Sequence, residues 1–279
     1  FKFRTIQQGP EEIQRLLEGE EGPIELIIVD EAHHGAAQSY NLLVDQNSHQ
    51  GLFLTATPNR TDQKAIGIDE IAYEITYAEL FDRGVILKPN FIDDAPFVKW
   101  SNENQVRELA RYLLEKSKTD FVKTMVVCSH VENVETLHKV LLEEFDQMQD
   151  CSLFREEIVF IHGGGNSGID GWPPDQDTFL ELNAKRDRGI LISTSGLLGE
   201  GFDDKKINTV VITYATESII NLMQSAGRAL RWHANKSKAN VVQVRETHLQ
   251  YFFDELWLYQ DISDALKPRV VRIPYSSSE

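Results

Sequence analysis

Six short runs rich in Val, Ile and Leu, without polar alternation, constrain the fold of this chain more than any other feature. The runs are IELIIVDEAHH, GLFLTATP, TMVVCSH, EIVFIHGGG, RGILISTS and INTVVITYAT. Such runs are typical of parallel strands that are covered on both faces. Between them, ENQVRELARYLLEKS and VENVETLHKVLLEEF place apolar residues at i, i+3, i+4 and i+7, which predicts amphipathic helices. The alternation predicts an α/β fold with mainly parallel, doubly wound sheets.

Length and composition fit a globular protein. The chain has 279 residues, of which 41% are hydrophobic and 26% are charged, which favours two domains or one large one. Because no apolar run approaches the length of a membrane span, we expect no membrane partner and no signal peptide. Cys128 and Cys151 are too few for a disulfide framework, and Cys128 is expected in a buried strand. A cytoplasmic location is therefore expected.

The charge of the chain is uneven. The formal net charge of -16 argues against a nucleic-acid partner, because phosphate binding uses Lys and Arg. Residues 181–250, however, contain 10 Lys and Arg against 7 Asp and Glu, so a polyanion site is expected there if one exists. RWHANKSKAN, at 231–240, fits either a basic lip or a solvated turn. The acidic remainder fits a surface that keeps the protein soluble.

The run IELIIVDEAHHGA ends in Asp30 and Glu31, and His33 and His34 follow. An Asp at the end of a buried strand can hold Mg²⁺ beside the phosphates of a nucleotide. The following Glu can act as a general base on water. A metal-dependent hydrolase is the alternative, and it predicts tightly bound zinc. That alternative is less favoured, since adjacent histidines point in different directions and the spacing H-E-x-x-H is absent. A strand end that merely emerges into water explains Asp30 and Glu31 alone.

Four motifs follow one another along the chain. They are DEAH at 30–33, LTATPNR at 54–60, ILISTSGLLGEGFDD at 190–204 and QSAGRALR at 224–231. Together they resemble motifs II, III, V and VI of superfamily 2 helicases, and are most similar to the branch of restriction-enzyme helicase subunits and excision-repair-type helicases. The resemblance implies two RecA-like domains, with ATP bound in the cleft between them and nucleic acid running across both.

The resemblance implies roles on the catalytic side. Asp30 would coordinate Mg²⁺, and Glu31 would polarise the water that attacks ATP. His33 would link the ATP site to the second domain through Gln224.

The same resemblance places four further residues on the ATP side. Gly201 and Asp203 would line the cleft. Arg228 and Arg231 would be arginine fingers, a role that suits a guanidinium because it presents a fixed fork to phosphate oxygens. The alternative for the two arginines is a solvated pair on one helix face.

Other residues are implied in nucleic-acid contact and in coupling. Thr194 would lie near a phosphate, and Thr55 and Thr57 would couple hydrolysis to domain movement. VVCSHVENVETL resembles motif IV, where Ser129 and His130 could touch a nucleic-acid backbone. The alternatives are that Thr194 caps the next helix and that His130 forms a local hydrogen bond at the strand end.

One required motif has no counterpart. A phosphate loop, G-x-x-x-x-G-K-[ST], should precede the DEAH strand, but the chain contains no Gly-Lys pair, and HGGGNSG at 162–168 lacks the lysine. The sequence therefore predicts a fragment that begins inside the first domain. The expected domains are the rest of the first RecA-like domain at 1–87, a second RecA-like domain at 88–250, and a C-terminal helix and tail at 251–279.

The predicted function follows from the resemblance. We expect an ATP- and Mg²⁺-using, nucleic-acid-dependent ATPase, a helicase or duplex translocase, that acts on DNA rather than RNA. Activity is expected in the full-length parent and not in this chain alone. A nuclease or another subunit of a larger complex is a candidate partner. The alternative is a non-catalytic half-motor that binds nucleic acid or a partner protein.

Overall fold

The computed structural model describes residues 14–15, 18, 26–30, 50–54, 73, 75, 77–92, 94–163, 175–196, 203–214 and 219–244. The strands are β1 (Leu26–Val29), β2 (Gln50–Phe53), β3 (Pro89–Ile92), β4 (Lys123–Cys128), β5 (Ile158–Ile161), β6 (Gly189–Thr194), β7 (Thr209–Ile212) and β8 (Ala239–Gln243). The α-helices are α1 (Tyr77–Asp82), α2 (Glu103–Ser117), α3 (Val131–Gln147), α4 (Gln176–Lys185) and α5 (Ile219–Leu230).

The chain divides into two compact units between Thr76 and Tyr77. In the first unit, β1 and β2 pair in parallel, with Leu26 opposite Gln50 and Val29 opposite Phe53. The predicted division into 1–87, 88–250 and 251–279 stays a prediction, and its last segment lies outside the described residues.

The second unit contains a six-stranded sheet in the order β3-β8-β7-β4-β6-β5. Every pairing in it is parallel. Each of the six apolar runs contains one strand, to within one residue at the start of that strand, so the predicted α/β fold with parallel sheets is confirmed. The strands β3 and β8 were not predicted.

Side chains on both faces of the six-stranded sheet are buried, because helices cover each face. Successive residues of a strand point to opposite faces, so Val126 and Cys128 pack on one side and Met125 and Val127 on the other. The first side packs against Leu109 of α2 and Leu137 of α3, among others. The second packs against residues that include Phe179 of α4 and Leu230 of α5.

Two of the three helices that the sequence predicted are present, and the third, in 251–279, lies outside the described residues. The helix α2 has the predicted bounds, and the side chain of Asn102 caps it by accepting a hydrogen bond from the Asn104 amide at 3.1 Å. The helix α3 begins at the predicted residue and extends two residues further, to Gln147.

Two expectations about location and cysteines can be compared with the fold. In the part of the chain that the structure describes, no helix is both long and apolar enough to cross a bilayer. Cys128 is fully buried in β4, as predicted, and burial raises the pKa of its thiol to about 12.

Candidate functional site

The predicted nucleic-acid residues lie at the edge of the sheet where the strands end, which we call the carboxyl edge. Ser129 and His130 directly follow β4, and Thr194 is the last residue of β6. The two strands are neighbours, with Cys128 opposite Thr194, and the Ser195 amide donates to the Cys128 carbonyl at 3.2 Å. The structure therefore brings Ser129, His130 and Thr194 together, as expected of carboxyl ends of parallel strands.

Two of these side chains are open to solvent. Ser129 and His130 are exposed, and Thr194 is half-buried. His130 occupies the N-cap position of α3, and its side chain makes no capping hydrogen bond. The side-chain nitrogen Nδ2 of Asn133 donates to the Ser129 hydroxyl oxygen at 3.5 Å, at the limit of a hydrogen bond. Exposed hydroxyl and imidazole groups at one edge are suited to phosphate oxygens, which are contacted by polar side chains of this kind.

Three of the predicted ATP-side residues, Asp203, Arg228 and Arg231, lie toward the opposite edge, where the strands begin, which we call the amino edge. The helix α5 starts after β7 has ended and runs back along the sheet. Its 12 residues span about 18 Å, whereas the four residues of β7 span about 13 Å. Its last carbonyl, that of Leu230, accepts from the Leu87 amide at 2.7 Å, close to the start of β3. The C-terminal end of α5 therefore lies at the amino edge.

An ion pair joins the two predicted motifs at this edge. The Arg231 guanidinium Nη1 lies 2.7 Å from Asp203 Oδ1, and both side chains are partly exposed, at 36% and 57%. Gln224 and Arg228 lie four residues apart in α5 and so share one face of it, and Arg231 directly follows the helix and forms an isolated β-bridge with Ile86. Arg228 is only 6% exposed, which does not fit the alternative of a solvated pair.

In the first unit, Asp30 directly follows β1 and is exposed. The neighbouring strand ends beside it, since the Leu54 amide donates to the Val29 carbonyl at 2.8 Å. An exposed carboxylate at a strand end fits one position in the oxygen shell that Mg²⁺ prefers. The other predicted residues of this unit and one of the second unit lie outside the described residues. They are Glu31, His33, Thr55, Thr57 and Gly201.

A zinc centre was the less favoured interpretation of the histidines near Asp30. Among the described residues, no group of three or more His, Cys, Asp or Glu side chains could hold a metal ion. His33 and His34 themselves lie outside that part of the chain.

The sequence did not point to three buried charged residues at the amino edge. Lys123 is the first residue of β4, Asp204 follows Asp203, and Lys236 lies in RWHANKSKAN. Each is less than 9% exposed. The segment 231–240 is therefore neither wholly a basic lip nor wholly a solvated turn, because one of its lysines points inward. A lysine that opens an otherwise apolar run, as in VKTMVV, was the available signal.

Comparison with known proteins agrees with the motif pattern. A profile described as "Type III restriction enzyme, res subunit" matches residues 1–60, and one described as "Helicase conserved C-terminal domain" matches residues 104–233. The two ranges together cover more than half of the chain. The two matches, in this order along the chain, confirm the predicted resemblance to superfamily 2 helicases.

Individual helicases show the same likeness. A protein of Saccharomyces cerevisiae named ATP-dependent helicase IRC3 is 23% identical, over 82% of this chain and 35% of that protein. The chain spans less than half the length of the curated relatives it matches.

Two solved structures show the fold that such helicases share. A Type ISP restriction-modification enzyme, LlaBIII, bound to DNA, has a TM-score of 0.58 at 15% identity, over 85% of this chain and 19% of that chain. The Saccharomyces cerevisiae protein Dbp5 bound to RNA has a TM-score of 0.57 at 14% identity, over 90% of this chain and 62% of that chain.

Proposed function

We propose that the protein containing this superfamily 2 helicase chain is a nucleic-acid-dependent ATPase that translocates on or unwinds duplex DNA. The observation that carries the proposal is the contact between motif V and motif VI, in which Asp203 holds Arg231 at 2.7 Å. A guanidinium held at one place by a carboxylate is ready to meet phosphate oxygens when a nucleotide arrives. The name of the yeast relative, an ATP-dependent helicase, supports the same activity.

The chemistry assigned to the chain follows from its strand ends. Asp30 supplies an oxygen ligand for Mg²⁺, and Glu31 accepts a proton from the attacking water. Bound Mg²⁺ would neutralise charge on the β- and γ-phosphates. Arg231 stabilises the charge that develops on the transferred phosphoryl group. Ser129, His130 and Thr194 hold the nucleic-acid backbone at the carboxyl edge.

DNA is proposed over RNA as the partner. The restriction-enzyme profile and the DNA-bound restriction enzyme of similar fold support that choice. The RNA-bound structure of similar fold makes RNA the comparison that the experiment must include.

A second candidate function is favoured by one specific observation. The 279 residues contain no Gly-Lys pair, and hence no phosphate loop of the form that holds the β- and γ-phosphates. We therefore assign hydrolysis to a natural form that contains such a loop. A form without it would be a half-motor that binds nucleic acid or a partner protein.

The deciding measurement is ATP hydrolysis by the longest natural form and by this chain, with single-stranded DNA, double-stranded DNA, RNA and no nucleic acid. We expect DNA-stimulated hydrolysis in the long form only. Glu31→Gln should lower kcat by at least about 100-fold, the usual contribution of a general base. Glu132→Gln, at an exposed position in the first turn of α3, is the control and should leave kcat unchanged. Absence of hydrolysis in both forms would leave the half-motor, and stimulation by RNA alone would overturn the choice of DNA.

A further inference from the structure

Two lysines are buried at the amino edge, close to the ion pair of Asp203 and Arg231. The side chain of Lys123 is 3% exposed, and Lys236 is 8% exposed. A buried ammonium group is costly unless its N–H donors are satisfied and its charge is balanced. The partners of these two groups therefore show what the lysines hold together.

Lys236 joins the segment that follows Asp203 to the helix that precedes Arg231. Its ammonium donates to the carbonyl oxygens of Ala229 at 2.9 Å, Ile207 at 2.9 Å and Lys205 at 3.2 Å. An ammonium group has three N–H donors, so all three are used. Ala229 lies in the last turn of α5, where a cation also interacts favourably with the helix dipole.

Lys123 fixes the same segment from the sheet. Its Nζ lies 2.7 Å from Asp204 Oδ2, and this carboxylate is 1% exposed. The same ammonium donates to the Asn183 and Arg186 carbonyls at 2.8 and 2.7 Å. The other oxygen of Asp204 accepts from the Lys206 amide at 3.1 Å. Asp204 is thus immobilised directly beside Asp203.

We propose that Lys236 is a positioning residue for the nucleotide site: it ties the motif V segment to the end of α5 so that Asp203 and Arg231 meet in one geometry, with Lys123 fixing the opposite side through Asp204. This inference rests on the proposed ATPase function. Lys236 acts through Arg231 and does not itself touch the nucleotide. A displacement of about 1 Å at a positioned group is enough to cost large factors in rate.

The chemistry of the three carbonyl partners explains why a lysine is needed. The three carbonyl oxygens accept hydrogen bonds, and that of Ala229, at the end of α5, also attracts positive charge. An apolar side chain of equal length supplies neither a hydrogen-bond donor nor a charge. Burial lowers the pKa of Lys236 to about 8, and the carboxylate of Asp204 opposes this effect, whereas Arg231 adds to it. The charged state of Lys236 therefore depends first on its burial and then on the charges of Asp204 and Arg231.

The test compares Lys236→Met with Lys238→Met in the longest natural form. Lys238 is the matched control, because it lies two residues away, is 59% exposed and pairs with Asp120 at 2.7 Å on the surface. Amide hydrogen exchange should increase in segments 203–208 and 228–231 of Lys236→Met and stay unchanged in α2 and α3. The kcat for ATP hydrolysis should fall about 10-fold or more, because a displaced Arg231 stabilises the transition state less, and Lys238→Met should change neither quantity.

A double variant separates positioning from general loss of stability. Lys236→Met should lower kcat no further in an Arg231→Ala background, because Arg231 is the group through which it acts. Additive effects would overturn the positioning role. If Lys236→Met does not fold, Lys236→Gln, which keeps N–H donors, takes its place.

The outcomes for the inference and for the proposed function are distinct. Unchanged exchange in both segments would overturn the inference whatever the ATPase activity. Increased exchange with an unchanged kcat would overturn the link to the nucleotide site. If the unaltered protein hydrolyses no ATP, the proposed function fails, and the exchange data still decide whether Lys236 holds Asp203 and Arg231 together.

Discussion

Glu144 shows how one buried carboxylate joins two helices. Its side chain is 4% exposed on α3, and it accepts hydrogen bonds from Arg111 at 2.6 and 3.2 Å and from Arg107 at 3.1 Å, both on α2. The two hydrogen bonds from Arg111 hold the pKa of Glu144 below its ordinary value of 4.5. Burial opposes this effect, and the hydrogen bond from Arg107 adds to it. The charged form is therefore the one that stabilises the fold.

Glu144→Gln should lower the free energy of unfolding at pH 7 by about 1–2 kcal/mol, since hydrogen bonds to charged groups are lost while both arginines can still reach water. A depressed pKa contributes stability above the unfolded pKa and loses it as the pH falls through the folded pKa. The difference between variant and unaltered protein should therefore shrink below pH 4.5. Urea unfolding at pH 7 and at low pH measures it.

The control for this prediction is Glu115→Gln. Glu115 pairs with Lys118 at 3.0 Å but is 59% exposed, and exposed pairs contribute about 0–1 kcal/mol. An equal loss of stability in both variants would contradict the role assigned to burial at Glu144.

At the scale of elements, the start of β6 depends on a glycine. Gly189 has a φ of 137°, and a Cβ added there would lie 2.7 Å from the Glu157 carbonyl oxygen, which is backbone and cannot rotate away. Gly189→Ala should destabilise the second unit by about 1–3 kcal/mol, the usual cost of one strained residue. Thermal unfolding measures this loss, and a variant as stable as the unaltered protein would show that β6 does not need the glycine.

Gly227, inside α5, gives the opposite expectation. Among the residues that the structure describes, a Cβ added there would meet nothing within 4 Å. Because glycine costs about 0.8–1.0 kcal/mol relative to alanine inside a helix, Gly227→Ala should raise the free energy of unfolding by up to about that amount. The same thermal measurement checks it, and a loss of stability would mean that this side of α5 is occupied.

The helices and strands that the sequence predicted are those whose residue pattern lies within one short segment. The bounds of α2 followed from the spacing of its apolar residues. The strands β3 and β8 carry Asn90 and Asn240, whose polar side chains hide the strand pattern. In the fold, the Asn90 side chain donates to that of Asn240 at 3.0 Å, across 150 positions of sequence. Each Asn finds its polar partner only through the pairing of β3 with β8, so neither strand can be recognised from its own residues.

The same distinction holds for the candidate site. Motif order pointed to Asp203 and Arg231, and the fold joins them. The resemblance pointed to Ser129, His130 and Thr194 as nucleic-acid residues, and the parallel pairing of β4 with β6 brings them to one edge. Lys236 was missed because its three carbonyl partners lie in other parts of the sequence, two in the motif V segment and one in α5. No pattern of the residues next to Lys236 therefore marks it as buried.

At the scale of the whole molecule, the sheet of the second unit separates two groups of predicted site residues. Ser129, His130 and Thr194 lie at the carboxyl edge, whereas Asp203 and Arg231 lie at the amino edge. If nucleic acid binds at the first and ATP at the second, substitutions at the two edges should change different measured quantities.

Thr194→Val removes one hydroxyl and keeps the side-chain shape, so it should weaken DNA binding and leave the KM for ATP without DNA unchanged.

Arg231→Ala should lower kcat for ATP by about 1,000-fold or more, the usual contribution of an arginine finger, with DNA affinity changed less than about 2-fold. Both are measured on the longest natural form, by DNA binding at fixed salt and by steady-state hydrolysis. Equal losses of DNA affinity and ATP hydrolysis in either variant would contradict the separation of the two sites. Separate sites predict that each variant leaves one of these two quantities unchanged.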